Sequence, residues 1–188
     1  WARNAIDTFV MARLESEGLR PNPEADSVSL QRRVILDLTG LPPTVDEVDA
    51  FLADKRSDAY ERLVDRLMDS QHYGERVGQN WLDLARYADT SGYHFDGVRF
   101  MWLWRDWVID AFNADKPFDR FILEQLAGDE LLEGQPRTVS EQDALIATGY
   151  LRLGPHDNAA GLFNEQDRSR AELMADLTET TGSAFLGL

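Results

Sequence analysis

The sequence predicts an all-α fold, a single multi-helix orthogonal bundle of about eight or nine helices. Three observations predict it. Apolar residues recur at i, i+3, i+4 and i+7 along most of the chain. Cap-forming residues open these runs, and Gly or Pro closes them. No alternating apolar and polar run is long enough for a strand, and there is no internal repeat. The chain has 188 residues and 43% hydrophobic content, enough for one helical domain, 1–188, to enclose a core.

Taken in order, the first helix runs from the N-cap Asn4, with Ile6, Phe9, Val10 and Leu14 on one face. Gly18, followed by Pro21 and Pro23, ends it. A second helix starts at Ser29, carries Leu30, Val34, Ile35 and Leu38, and stops at Gly40. In "LPPTVDEVDAFL" Thr44 and Glu47 form a capping box, and Val45, Val48, Phe51 and Leu52 make the buried side. Ser57 opens a fourth helix in which Tyr60, Leu63, Val64, Leu67 and Met68 keep helical spacing throughout. The fifth covers 73–88, with Val77, Trp81, Leu84, Ala85 and Ala88 inward; Trp104, Trp107, Val108, Ala111 and Phe112 define the sixth.

Pro117 stands near the start of a seventh helix, where its missing N–H costs nothing, and Phe118, Phe121, Ile122 and Leu126 form its stripe up to Gly128. Ser140 with Asp143 caps an eighth that holds Leu145 and Ile146. A last long helix begins after Asn164 and passes Leu173, Met174 and Leu177 towards Phe185. The stretches 133–138 and 154–161, rich in Gly, Pro and Asn, are expected to be the least ordered.

Charge and composition narrow the function classes. A formal net charge of −15 repels phosphate backbones, so no nucleic-acid partner is expected, while cationic partners remain compatible. No apolar run approaches the ~20 residues that span a bilayer, so no membrane span is expected. Without cysteine, these residues carry no disulfide, thiolate ligand, Cys nucleophile or covalent haem attachment. The chain opens on Trp1 and closes on the uncapped apolar run "GSAFLGL", as a fragment of a longer multidomain protein would.

Between the fifth and sixth helices lies "LARYADTSGYHFDGVRF", a polar, glycine-punctuated loop. Asp89 and Asp96 are candidate catalytic residues, because paired carboxylates do acid and base work when burial pushes their pKa values apart. Tyr93, His94, Trp102, Arg99 and Arg105 are candidate ligand-binding residues: aromatic faces stack on sugar rings and arginines clamp acidic groups. The competing reading is architectural. There Asp89 caps a helix end or binds Arg86, Arg99 or Arg105, Gly92 supplies a positive φ, and Tyr93 and Phe95 plug the core.

No metal is expected. The loop lacks the calcium-loop spacing, and His72, His94 and His156 fall in no paired zinc motif. Ser91 lacks the G-x-S-x-G setting of an elbow nucleophile. Trp81, Trp102, Trp104 and Trp107 could form a stacking surface for sugar rings or a haem edge, but Trp104 and Trp107 have core spacing, whereas Trp102 lies off that face. Glu172, Asp176 and Glu179 recur at helical intervals as an acidic face.

The phrases "DLTGLPPTVDEVDAFL", "YERLVDRLMDSQHYGER", "WLDLARYADTSGY", "WRDWVIDAFNADKPFDRFILEQLAGD" and "ETTGSAFLGL" together resemble the planctomycete cytochrome-associated domain of unknown function. In that family the segment matching "AFLGL" is normally followed by a haem-attachment type motif. The segment "RLGPHDNAAGLFNEQDR", with His156 and Glu165, departs from the family's usual Gly-rich acidic form. The resemblance implies an extracytoplasmic protein, periplasmic or secreted, with haem c possible in the full-length polypeptide and no cofactor within these residues. Its implied partners are neighbouring domains of the same polypeptide, a cytochrome c region among them, and polysaccharide. The first function expected is an accessory helical domain supporting a haem-bearing segment; the alternative is a glycan-acting enzyme or glycan-binding domain using loop 89–96.

Overall fold

The computed structural model describes residues 2–93 and 96–187. Among them are nine α-helices and no sheet; the one β-type contact is an isolated antiparallel bridge between Thr90 and Val98. The helices are α1 (Ala5–Ser16), α2 (Ser27–Thr39), α3 (Val45–Ala53), α4 (Ala59–Met68) and α5 (Gln71–Leu84). After loop 85–101 come α6 (Trp102–Asn113), α7 (Phe118–Ala127), α8 (Val139–Ala147) and α9 (Gln166–Thr181). The all-α bundle expected from the periodicity is the observed fold.

Local chemistry sets most boundaries. Asn4 and Asp7 form a reciprocal capping box on α1, and Thr44 with Glu47 does the same on α3. Gly40 closes α2 in the left-handed conformation, φ 71°. Elsewhere the structure corrects the expectation. Asp26 rather than Ser29 marks the start of α2, accepting from the N–H groups of Val28 and Ser29. Thr138 with Glu141, not Ser140 with Asp143, caps α8, since only the earlier pair closes the box in both directions. The helix expected from Ser57 begins at Ala59, and α5, capped by Ser70, begins at Gln71, two residues ahead of the expected start.

Helix α5 also stops earlier than expected, at Leu84. Arg86 takes φ 59°, and the N–H of Tyr87 reaches back to Leu82 O at 2.9 Å, a Schellman-type ending with arginine where glycine is usual. Leu84 is consequently exposed, as are Val45, Leu52 and Phe118, all expected inward.

Two clusters form the interior. Ile35, Leu63 and Leu67 join α2 to α4, with Phe51 of α3 against them. The larger cluster is aromatic: Trp81, Trp104, Trp107, Phe121 and Tyr150 are buried, and Phe185 packs on Trp81 and Tyr150 at ring separations of 5.1 and 5.6 Å. Its polar atoms are partly matched, Trp81 Nε1 donating to Gln125 Oε1 at 2.9 Å. Helices α5 and α6 cross closely because Gly74 carries no Cβ; an added one would stand 2.6 Å from Asn113 Cγ. That crossing fixes both ends of loop 85–101.

Candidate functional site

Loop 85–101 is pinned from within by Asp89. Its Oδ2 accepts the Tyr87 hydroxyl at 2.6 Å, and its Oδ1 accepts the Met101 N–H at 2.9 Å, at the entry to α6. The backbone closes in ladder fashion, Arg99 N–H donating to Asp89 O at 2.8 Å and Ser91 N–H to Gly97 O at 3.2 Å. Gly92 turns the chain with φ 65°, and its N–H donates to Asp96 Oδ1 at 2.8 Å.

The same loop rests on segment 154–158. Ser91 is buried; its carbonyl accepts from His156 N–H at 2.9 Å and its hydroxyl from Asn158 Nδ2 at 2.8 Å. Arg99 Nη2 donates to Gly154 O at 3.0 Å. Segment 154–161, expected to be loosely held, thus has a docked inner side, with Ala159 and Ala160 buried.

The electrostatics follow from these partners. The Tyr87 hydroxyl first, then the Met101 N–H and the charges of Arg105 and Arg99, hold the Asp89 carboxyl below its usual range against the opposing effect of burial. Burial, reinforced by the bond to Asp89, pushes the Tyr87 phenol up to about 12. The Gly92 N–H and the Thr90 side chain lower Asp96 as well. Both candidate carboxyls are therefore carboxylates at neutral pH, whereas a glycosidase acid needs one of the pair raised.

The remaining sequence-derived candidates divide between several surfaces. Arg105 is occupied by Asp106, donating through Nε at 2.9 Å and Nη2 at 2.7 Å. Trp102 is 44% exposed, off the packed side of α6, while Trp104 and Trp107 belong to the core. Tyr93 lines a cavity of ≈ 180 Å³ together with Pro155, His156 and, from α9, Glu172 and Asp176. His94 lies outside the described residues. The loop thus brings Asp89, Asp96 and Arg99 into one hydrogen-bonded unit, with the Arg105 charge acting on Asp89 from α6 and Trp102 exposed beside it.

One interaction beside the Tyr93 cavity escaped the sequence. Arg86 forms an ion pair with Asp176 of α9, and Gly154 makes room for it: a Cβ there would sit 2.8 Å from Asp176 Oδ2 and 2.9 Å from Arg86 Nη1. The acidic spacing on α9 was readable, but its cationic partner, ninety residues away, was not. Among the described residues no group of three or more His, Asp or Glu is placed to hold a metal ion. A larger cavity of ≈ 460 Å³ between α3 and α4 has its arginines satisfied: Arg66 meets Glu47 at 3.1 Å, Arg62 meets Asp58 at 2.8 Å, and Arg56 meets Asp54.

Fold and site together define an all-α protein whose polar loop is organised by internal hydrogen bonds around an ionised aspartate. The family model PSCyt2, described as "Protein of unknown function (DUF1549)", matches residues 5–188, and the chain belongs to that family. Neither a curated protein nor a solved structure matches it.

Proposed function

We propose that the chain is an accessory helical domain of an extracytoplasmic, c-type-cytochrome-associated protein, packing against a haem-bearing segment of the same polypeptide without performing bond chemistry itself. The observation that carries this reading is α1. No residue of that helix is buried, and Ile6 and Phe9 are 72% and 78% exposed. Large apolar side chains left in water on one helix make a surface for a neighbouring segment to cover. The carboxylates of loop 89–96 support the same reading, since the loop's own hydrogen bonds engage both.

This reading puts the haem on the neighbouring segment, since these residues carry no cysteine for covalent attachment. What the chain offers such a segment is a surface. To test this, the longer polypeptide is matured in a host that attaches haem c, and its visible spectrum is recorded with and without Phe9→Glu. A haem band whose reduction potential or protease resistance changes in the variant is the expected result. A polypeptide lacking any haem absorbance would refute the reading.

A further inference from the structure

Where α6 begins, a second uncovered surface has different chemistry from α1. A cleft of ≈ 300 Å³ runs between the start of α6 and the turn that follows α8. Phe100, Leu103 and Leu145 line it and are 78%, 48% and 42% exposed. Trp104 lies beneath, brought close by Gly149, where a Cβ would stand 3.2 Å from the indole. A neighbouring hollow of ≈ 350 Å³ shares Leu103 and Ile146 with it but is charged, with Asp106, Asp110, Asp143 and Lys116 on its other walls; the cleft itself is mainly apolar. Mainly apolar walls with very few polar groups are the ordinary composition of a small-molecule site.

The single charged residue lining this cleft is Arg152. It is exposed, and among the described residues it has no ion-pair partner. Charges of both signs act on its neighbour Arg99: burial first, then Arg152, lowers Arg99 below the usual guanidinium range, against the opposing pull of Asp89. Arg99 also keeps a buried Nε with no acceptor. The nearby carboxylate, Asp89, is already held by Tyr87 and Met101. In a chain carrying 34 acidic residues against 19 basic ones, an exposed guanidinium without an ion-pair partner on the wall of an apolar cleft leaves a place for an anion with an apolar body.

We propose that this cleft binds a small apolar monocarboxylate, its carboxylate on Arg152 and its hydrocarbon body against Phe100, Leu103 and Leu145. The site is separate from α1 and does not depend on the haem reading. Arg152 supplies a planar donor pair that matches a carboxylate, and a volume of ≈ 300 Å³ has room for a short alkyl or aryl chain.

The test uses octanoate, its uncharged counterpart octan-1-ol, and the free-acid dipeptide Leu-Leu, titrated into the intact protein while methyl and indole resonances are followed by NMR. Octanoate is expected to give saturable shifts at Leu103, Leu145 and Trp104, with octan-1-ol binding roughly tenfold more weakly. Arg152→Gln, a surface change, should bring octanoate down to the level of the alcohol, and Leu103→Glu should abolish both. Equal affinity for acid and alcohol, octanoate binding unaffected by Arg152→Gln, or no saturable shift at the cleft would each overturn the proposal. So would a cleft that takes the dipeptide and not octanoate, since the occupant would then be a polypeptide terminus.

Discussion

At the scale of single residues, Asp89 and Tyr87 tie loop stability to pH at both extremes. The folded-state pKa of Asp89 is depressed, so its stabilisation is complete above the unfolded value near 4 and is lost as pH falls below it. Tyr87 has the opposite sign: its pKa is raised to about 12, so its contribution is complete below pH ~10 and disappears as pH climbs towards that value. Tyr87→Phe is therefore expected to flatten the fall in melting temperature between pH 10 and 12, and Asp89→Asn the fall between pH 5 and 3. Each should cost about 1–2 kcal/mol at pH 7 through the lost hydrogen bond. Thermal melts across both pH ranges check the signs. The capping role of Asp89 was readable as one of two alternatives, because an aspartate just beyond a helical run commonly binds a nearby N–H. Its choice of Tyr87 and Met101 was not readable. The docking of Ser91 on Asn158, 67 residues apart in sequence, depends on how distant segments come together rather than on local pattern.

At the scale of elements, caps and stripes were legible because they depend on residues three or four apart, and the helix count followed from them. Errors arose where two local signals competed or where a distant contact decided the matter. "TVSEQD" holds two overlapping cap candidates, and the threonine with glutamate prevails by bonding reciprocally. The end of α5 was hidden because arginine seldom adopts a left-handed backbone; its partner Asp176 on α9 accompanies that conformation. The crossing of α5 on α6 also gave no periodic signal, since it rests on missing side chains at Gly74 and Gly78. Gly74→Ala drives a methyl into Asn113, which donates to Gln71 O and accepts the Gly74 N–H at 2.7 Å. Overpacking of this kind costs about 1–3 kcal/mol, offset by at most ~1 kcal/mol of helix propensity. Urea denaturation should show net destabilisation, whereas a midpoint at or above that of the parent protein would mean the helices separate without penalty.

At the scale of the whole molecule, apolar surface is distributed unevenly. The aromatic cluster carries the interior, with Phe121 in ring contact with Trp81 and Trp107 at 5.1 and 5.2 Å. Beside it the buried Glu124 is neutralised by Lys116 and Arg120, so even the one buried acid of α7 has its counter-charges. Helix α1, in contrast, adds apolar side chains of which none is fully buried. Apolar spacing marked Phe9 and Phe121 alike, although apolar residues ring α1 almost evenly and gather on one side of α7; what lies opposite decides which ring is buried. Their substitution separates them. Phe121→Ala removes a packed ring and should cost about 3–5 kcal/mol. Phe9→Glu touches no core and should change stability by no more than about 0.5 kcal/mol in the isolated chain. If Phe9→Glu instead destabilised the isolated chain as strongly as Phe121→Ala, α1 would be packed internally and its outer face would not be a docking surface. If the cost appears only in the longer polypeptide, α1 is covered there, and the difference between the two melts measures how much that cover contributes.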